Sequence, residues 1–451
     1  MNGDTTRPPW AGSAQAPGLP GAAGIPGTPD AVGAAGAAVP APERAPTRGR
    51  TPAPGQAPPP ARLAAVDALR GFALFGILMV NITYLASAYH GSGVEDPGFD
   101  GPLDGAVRAV LAVFFEAKFF LLFSFLFGYS FTLQLESAER RGARFAPRFL
   151  RRLAGLFALG VLHAVLLFPG DILTTYAVLG LVLLAVHRVR PRTAVRAAVA
   201  LLALTAAAYA LLALASWSAG GAGLDSGAAA ADAARATEQL RGGAASVIRA
   251  HLEELPDVVF LLVFFQAPAA LAAFLLGLAA GRHRALGDLS RHRHTLRYLQ
   301  AVGFTVGLCG GVVYAHASLA HPGGAYQVFA LGLDVVTAPL LAAAYAATVL
   351  RLATGRRARP VIAALAPAGR MTLTNYLTQS AVCALLFTGY GAALVGRVSP
   401  LGVALVAVAL FAAQAAASRW WLGRHRYGPV EWLLRAWTTL SRPRWRGGAP
   451  S

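Results

Sequence analysis

The chain has 451 residues, of which 56% are hydrophobic and 13% are charged, and its mean hydropathy is +0.53. Soluble domains carry about 25% charged residues, so this composition excludes a soluble globular protein and indicates a polytopic membrane protein. The formal net charge of +18 is divided among loops between apolar segments, which favours a role in membrane orientation over nucleic-acid binding.

Residues 1–60 form a distinct N-terminal segment, rich in Pro, Gly and Ala and with almost no large apolar side chain. Such a segment cannot bury enough surface to offset the entropy of ordering, so we predict a disordered tail. It lacks the basic stretch and following apolar stretch of a cleaved signal peptide.

Ten apolar segments follow from Arg62 onward, each close to the length that a helix needs to cross a bilayer, about 20 residues. The sequence therefore predicts an all-α polytopic membrane protein with about ten transmembrane helices. The predicted spans are 69–88, 108–135, 150–168, 172–187, 194–217, 257–281, 299–319, 326–350, 370–392 and 399–420.

Loop charge alternates along the chain and sets the expected orientation. Arginine-rich loops follow the second, fourth, sixth and eighth spans, whereas the loops between them are acidic or nearly uncharged. Short cytoplasmic loops collect Lys and Arg, so both termini are expected in the cytoplasm. The expected organisation is a tail at 1–60, a five-helix half at 61–218, an extracytoplasmic loop at 219–256 with a helix near Ala230 to Leu255, a second half with an interfacial helix at 257–437 and a basic tail at 438–451.

The side-chain inventory adds two points. Cys309 and Cys383 both lie in apolar segments, where a thiol acts as a small apolar group, so neither a disulfide framework nor a metal site is predicted. Lys118 is the only lysine, and the use of arginine for every other long cation, with abundant Ala and Gly, suggests a GC-rich bacterial source. We expect a multipass protein of a bacterial cytoplasmic membrane.

Charged residues within the second span require an explanation, because an ionisable group in a membrane helix costs several kcal/mol. At 1.5 Å per residue, Glu116 and Lys118 lie roughly 12 to 15 Å below the outer surface. They are two residues apart and point to different faces, so at least one needs a partner on another helix. Asp334 in the eighth span lies about two turns from the outer face and is a candidate partner of Lys118. A structural ion pair and a ligand-positioning lysine both stay open.

A second pair lies where the third span ends and the fourth begins. His163 is one to two turns below the outer surface, and a short loop brings Asp171 close to it. A carboxylate can orient an imidazole that acts as a base. The alternative is structural, with His163 bonded to a backbone carbonyl and Asp171 capping the next helix.

Polar residues also collect at the cytoplasmic ends of the spans. Arg62, Asp67, Arg70 and Arg370 are expected near one membrane face, where guanidinium groups can bind the phosphates of a cytosolic ligand. Asn375 and Gln379 share a helix face at i, i+4 and can either join that site or hold helices together.

A short segment after the last span, from Gly428 to Trp437, is predicted to be an interfacial helix. It has Pro429 at its start, and its tryptophans suit the headgroup zone. Glu431 and Arg435 form an i, i+4 pair on it.

These stretches resemble the YeiB-like family of bacterial multipass membrane proteins, a family of unknown function, over nearly all of Arg62 to Trp437. The resemblance rests on several motifs taken together. They are Asp67-x-x-Arg70-Gly71, Lys118-Phe with Leu122-Phe-Ser-Phe-Leu-Phe-Gly128, Gly170-Asp171-Ile-Leu-x-x-Tyr176, Gly369-Arg-Met-x-Leu-Thr-Asn-Tyr-Leu-x-Gln-Ser380 and Gly428-Pro-x-Glu431-Trp432.

The family is in turn similar to the wider transmembrane acyltransferases, which include heparan-α-glucosaminide N-acetyltransferase and bacterial glycan O-acetylases. That resemblance implies acyl-CoA as co-substrate, no metal, and an acyl acceptor on the far side of the membrane. It also implies a catalytic histidine early in the second helix, but residues 107–116 contain none. Either His163 takes the role of base, or the analogy with the acyltransferases does not extend to the chemistry.

Three functions stay open at this point. The first is transfer of an acyl group from cytosolic acyl-CoA to an extracytoplasmic glycan, lipid or small polar acceptor. The second is a transporter or exporter with an intramembrane polar or proton path, and the third is a non-catalytic scaffold. The sequence specifies neither the acyl donor and acceptor nor the oligomeric state. The candidate residues are His163, Asp171 and Lys118 for catalysis, Arg62, Asp67, Arg70, Arg370 and Asn375 for the donor, and Glu116, Asp334 and Gln379 for a substrate path.

Overall fold

The computed structural model describes residues 60–218, 226–286, 292–355 and 357–446, with side chains from Ala64 onward. The predicted tail lies outside the described residues except for Pro60, which begins the first helix. Arg62 belongs to that helix, but its side chain is outside the described part, so its assignment to the donor site stays a prediction.

Every regular secondary-structure element within the described residues is a helix, which confirms the predicted all-α fold class. The helices are α1 (Pro60–Ala86), α2 (Pro102–Phe114), α3 (Lys118–Arg140), α4 (Phe145–Leu166), α5 (Ile172–Ala185), α6 (Pro191–Ser218), α7 (Ser226–Arg241), α8 (Ala244–Leu261), α9 (Ala267–Arg282), α10 (Arg293–Ala320), α11 (Ala325–Thr354), α12 (Arg359–Arg370), α13 (Thr372–Phe387), α14 (Pro400–Leu422) and α15 (Pro429–Thr439).

Eight segments of the described chain are long and apolar enough to cross a membrane, two fewer than the sequence predicted. The other two predicted spans correspond to α5, with 14 residues, and α13, with 16 residues. Their lengths of about 21 and 24 Å fall short of the hydrocarbon thickness of about 30 Å. α13 is shorter than the predicted span at both ends. A break at Met371 separates it from α12, and after Phe387 the chain is non-helical, with Val395 fully buried.

The arginine-rich loops meet at one end of the bundle, which we call the basic face; the opposite end is the far face. The Arg282 side chain at the end of α9 donates to the Val189 carbonyl after α5 at 2.5 Å. The Trp437 indole of α15 donates to the Arg151 carbonyl of α4 at 2.7 Å. Successive spans therefore alternate in direction, as the loop charges predicted.

The two predicted halves of the chain are interleaved in space. α1 packs against α12, α13 and α14, and α3 packs against α9. α6 contacts both α9 and α11. The predicted loop at 219–256 contains two helices, α7 and α8, rather than one, because Gly242 and Gly243 separate them. α8 then continues through a π-helical turn, Leu262–Gln266, into α9.

Two glycines of the motifs allow α1 and α12 to touch backbone to backbone. A Cβ atom on Gly369 would lie 1.8 Å from the Asp67 carbonyl oxygen, and one on Gly71 would lie 2.2 Å from the Leu365 carbonyl oxygen. Any larger residue would force the helices apart. This close approach sets the polar start of α1 beside Arg370, which follows Gly369 directly.

Candidate functional site

A break between α2 and α3 places charged groups inside the helical bundle. Ala117 adopts a left-handed conformation with φ of +63°, which is unusual for a residue with a Cβ atom. The break leaves carbonyls at the end of α2 without helical partners, and side chains bind two of them. Lys118 Nζ donates to the Ala112 carbonyl at 3.1 Å, and the Tyr345 hydroxyl donates to the Phe114 carbonyl at 3.0 Å.

Lys118 forms the ion pair with Asp334 that its depth predicted. Its Nζ lies 3.1 Å from both carboxylate oxygens, and the lysine side chain is completely buried. The ammonium group is therefore bound by the Ala112 carbonyl of α2 and the Asp334 carboxylate of α11. The sequence hypothesis placed Lys118 with His163 in one catalytic site, but the structure puts them in separate clusters, because His163 contacts α5 and α13 instead.

Glu116 projects from the same break toward the far face. One carboxylate oxygen accepts a hydrogen bond of 2.7 Å from the Tyr314 hydroxyl, and the other lies 3.7 Å from Nε2 of His90. Burial lowers the pKa of the His90 imidazole below its ordinary value, although the nearby Glu116 carboxylate opposes that shift. A neutral His90 leaves Glu116 without a full cationic partner at this distance.

His163, Asp171 and Ser380 form a buried cluster near the far-face end of α4. Nδ1 of His163 lies 3.0 Å from Oδ1 of Asp171, within ion-pair distance, although neither of these two atoms completes a hydrogen bond. On the other side of the ring, Nε2 lies 2.7 Å from Oγ of Ser380. The order carboxylate, imidazole, hydroxyl is that of a serine nucleophile with its base and orienting acid.

The local structure explains why Asp171 reaches the imidazole. Its second oxygen accepts the Thr174 backbone N–H at 2.8 Å and so caps α5, while the first faces His163. Asp171 can therefore cap α5 with one oxygen and orient the His163 imidazole with the other. A Cβ atom on Gly160 would come within 2.5 Å of the Asp171 carboxylate, so only glycine on α4 permits this approach.

Ser380 borders a small internal cavity of about 10 Å³, enough for one water molecule. The Tyr376 ring, one turn earlier on α13, packs 4.9 Å from the His163 ring. The cavity walls come from α1 and α13. They are Leu78, Asn81, Ile82, Leu85, Tyr376, Gln379, Ser380 and Cys383.

A third cluster lies at the basic face. Arg70 donates to Asp67 Oδ1 and to Ser130 Oγ, each at 2.7 Å. The half-buried Arg152 of α4 lies within electrostatic reach of Arg70, and its buried Nε has no hydrogen-bond partner. With the exposed Arg370 beside α1, this region presents three guanidinium groups around one carboxylate.

Asn375 and Gln379 do not join the arginines. The Asn375 amide donates to Ser418 Oγ at 2.9 Å, and Gln379 donates to Gln414 at 2.8 Å, so both bind α14. Gln414 in turn donates to the Asn375 carbonyl at 3.1 Å. Of the two alternatives for this pair, helix association matches the observed contacts, and we leave Asn375 out of the donor site.

The sequence missed several partners of the residues that it identified. Ser380 closes the motif that begins at Gly369, and its i, i+4 spacing from Tyr376 was the available signal that it faces inward. Ser130, Arg152 and Tyr314 had no comparable signal, since each is an ordinary helix residue that becomes a partner only through packing. Among the described residues, no three His, Cys, Asp or Glu side chains converge as metal ligands would.

The family described as "Protein of unknown function (DUF418)" matches residues 280–441. The uncharacterised protein YxaH of Bacillus subtilis strain 168 is 34% identical over 396 residues, covering 84% of this chain and 95% of YxaH. The chain belongs to the DUF418 family.

Two further relatives of this DUF418 protein extend over similar lengths. The uncharacterised 39.9 kDa protein in the amylase 3' region of Bacillus acidopullulyticus is 29% identical and covers 84% of this chain and 94% of its own. The uncharacterised protein YeiB of Escherichia coli K12 is 28% identical and covers 84% and 96%. No solved structure matches.

Each polar cluster combines residues from inside and outside the region matched by the DUF418 family. Asp334, Arg370 and Ser380 lie within residues 280–441, whereas their partners Lys118, Asp67 and His163 precede it. The matched region alone therefore contains none of the three clusters in complete form.

Proposed function

We propose that this DUF418 protein is an acyltransferase of the cytoplasmic membrane that moves an acyl group from cytosolic acyl-CoA to an extracytoplasmic glycan, lipid or small polar acceptor. The observation that carries the proposal is the buried row of Asp171, His163 and Ser380. Serine, imidazole and carboxylate in this order are the groups that acyl transfer through an ester intermediate requires.

In the first half-reaction, Ser380 Oγ attacks the thioester carbonyl carbon while Nε2 of His163 takes the hydroxyl proton. The carbon–sulfur bond breaks, the acyl group becomes an ester of Ser380, and the departing thiolate takes the proton from His163. Asp171 stabilises the imidazolium that forms in between and fixes which ring nitrogen carries the proton.

In the second half-reaction, His163 removes a proton from the acceptor hydroxyl or amine, whose oxygen or nitrogen attacks the seryl ester. The ester bond breaks, and the proton returns to Ser380 Oγ. The chain ends the cycle as it began, with the acyl group transferred and no oxidant or reductant consumed.

The basic face suits the donor. Arg70, Arg152 and Arg370 present fork-shaped donors that match phosphate oxygens, and coenzyme A carries phosphates at one end and the thioester at the other. This arrangement would place the nucleotide at the cytoplasmic surface and direct the acyl chain along α1 toward Ser380.

Covalent labelling tests the proposal. Purified protein in nanodiscs is incubated with acetyl-CoA labelled in the acetyl group, and stable label on the protein is counted after denaturation. We expect label in the wild type, none in Ser380→Ala or His163→Gln, and unchanged label in the control Ser137→Ala. Ser137 lies on α3, and its exposed hydroxyl accepts a hydrogen bond from Arg141 just after that helix. Equal labelling of wild type and Ser380→Ala would refute a seryl ester, and loss of coenzyme A binding in Arg70→Ala tests the donor site separately.

Transport is the second candidate, and the break between α2 and α3 favours it. Secondary transporters place substrate sites at discontinuous helices, and this break carries Glu116 and the Lys118–Asp334 pair. Proteoliposomes with an imposed pH gradient distinguish the two: a transporter gives Lys118-dependent flux without any thioester, whereas an acyltransferase does not.

A further inference from the structure

A cavity of about 160 Å³ opens at the far face, on the opposite side of α1 from the Ser380 cavity. Its walls come from α1, the loop after it, α2, the break between α2 and α3, α10, and the starts of α11 and α14. We call it the far-face cavity. Its polar lining side chains are Thr83, Tyr84, Ser87, Tyr89, His90, Glu95, Asp96, Arg108, Glu116, Tyr314, Ser318 and Gln327.

Glu116 is the most deeply buried charged residue of this cavity, and only 15% of its side-chain surface is exposed. A buried carboxylate is normally paired with a cation. Lys118, the only lysine of the chain, pairs with Asp334, and Glu116 contacts the Tyr314 hydroxyl at 2.7 Å and Nε2 of His90 at 3.7 Å. The lowered pKa of His90 keeps that imidazole neutral near pH 7.

The remaining charges leave the cavity negative. Glu95, Asp96 and Glu116 supply three carboxylates against one guanidinium, Arg108. Arg108 is turned toward the loop, where its Nη2 donates to the Phe99 carbonyl at 2.7 Å. A net negative cavity in a chain of formal charge +18 selects for cations at the far face.

Aromatic rings specify the kind of cation. Tyr84, Tyr89 and Tyr314 line the cavity, and aromatic faces attract organic ammonium groups within about 6 Å of the ring centre. Lys118 Nζ already lies 5.6 Å from the centre of the Tyr314 ring, so Tyr84 and Tyr89 are the rings that a ligand would contact. A volume of about 160 Å³ also exceeds what one inorganic ion needs and accommodates a small organic molecule. We propose that the far-face cavity binds an organic ammonium group, with Glu116 as its counterion and the tyrosine rings as its walls.

This site is distinct from the proposed acyl-transfer cluster and does not depend on it. The Phe168 ring lies between them, 6.5 Å from the Tyr84 ring of the cavity and 6.4 Å from the His163 ring. The ammonium group has two possible sources, a free amine in solution or the headgroup of an ethanolamine lipid. The chemistry that binds them is the same.

Calorimetric titration of the full chain in phosphatidylglycerol nanodiscs tests the proposal, with ethanolamine as the probe and ethylene glycol as its uncharged analogue. We expect saturable ethanolamine binding, no ethylene glycol binding, and affinity reduced about tenfold to a hundredfold in Glu116→Gln, because a charge-assisted contact is lost. Asp100→Asn removes an exposed far-face carboxylate that does not line the cavity, and is the matched control.

A second variant is expected to strengthen binding, which a misfolded protein would not do. Arg108→Gln removes the one lining cation and should tighten ethanolamine binding several-fold, since the cavity becomes more negative. Nanodiscs containing phosphatidylethanolamine then separate the sources: competition with soluble ethanolamine identifies the lipid headgroup, and unchanged binding identifies a free amine. Absence of saturable binding, equal binding of ethylene glycol, or unchanged affinity in folded Glu116→Gln would overturn the proposal.

Discussion

Replacing Lys118 with Met should destabilise the protein by about 3–5 kcal/mol, the usual effect of breaking a buried ion pair by removing one partner. Lys118 is completely buried, and the side chain of Asp334 is 4% exposed. Lys118→Met keeps the length of the side chain but leaves the Asp334 carboxylate and the Ala112 carbonyl without their donor. The loss therefore comes from stranded polar groups rather than from a cavity.

The double variant Lys118→Met/Asp334→Asn should recover about 2 kcal/mol of that loss, because a buried amide without a partner costs less, about 1–3 kcal/mol, than a buried unpaired charge. Equilibrium unfolding in mixed micelles with increasing dodecyl sulfate, followed by tryptophan fluorescence, gives both free energies. The control is Arg235→Met, which breaks the exposed pair with Asp232 on α7 and should change the free energy of unfolding by less than about 1 kcal/mol.

Two results would refute this reasoning. If Lys118→Met unfolds at the same dodecyl sulfate fraction as the wild type, the ion pair contributes nothing to stability. If the double variant is less stable than Lys118→Met alone, the loss does not come from the stranded Asp334 charge.

Three further predictions follow from other contacts. Gly369→Ala should sharply lower the yield of folded protein in size-exclusion chromatography, because its Cβ would overlap the α1 backbone, whereas Gly105→Ala, with open space around it, should not. Glu431→Gln should lower the free energy of unfolding by about 1.5–3 kcal/mol, because the carboxylate accepts two backbone N–H groups at 2.7 and 3.0 Å at the start of α13; retained stability would argue against this cap. Burial lowers the pKa of His90, so the unfolded chain binds its proton more readily; thermal melts should show stability lost as the pH falls below about 6.5, and less so in His90→Gln.

The sequence predicted the features that depend on depth and on short loops. The Lys118–Asp334 pair could be expected because both residues lie at a similar distance from the same face, and a buried charge needs a partner. His163 and Asp171 could be expected because only a short loop separates them. In both cases the depth of the residues along the membrane normal was sufficient to predict the contact.

The features that the sequence did not predict depend on which helices are neighbours. Ser380 is 217 residues from His163, and nothing in the spacing of α4 and α13 says that they touch. For the same reason, Asn375 was assigned to the donor site although it faces α14. Depth and charge patterns place a residue along the membrane normal, but they leave its lateral position open.

The close packing of α1 against α12, α13 and α14 has a consequence for how the protein is made. α1 carries Asp67 and Arg70 near its start, yet α12, α13 and α14, which pack against it, begin more than 270 residues after α1 ends. Until then, α3 can cover part of α1, and the rest of its inward face must lie against lipid or an insertion factor. Nascent chains stopped before α12 should therefore be substrates for membrane quality control.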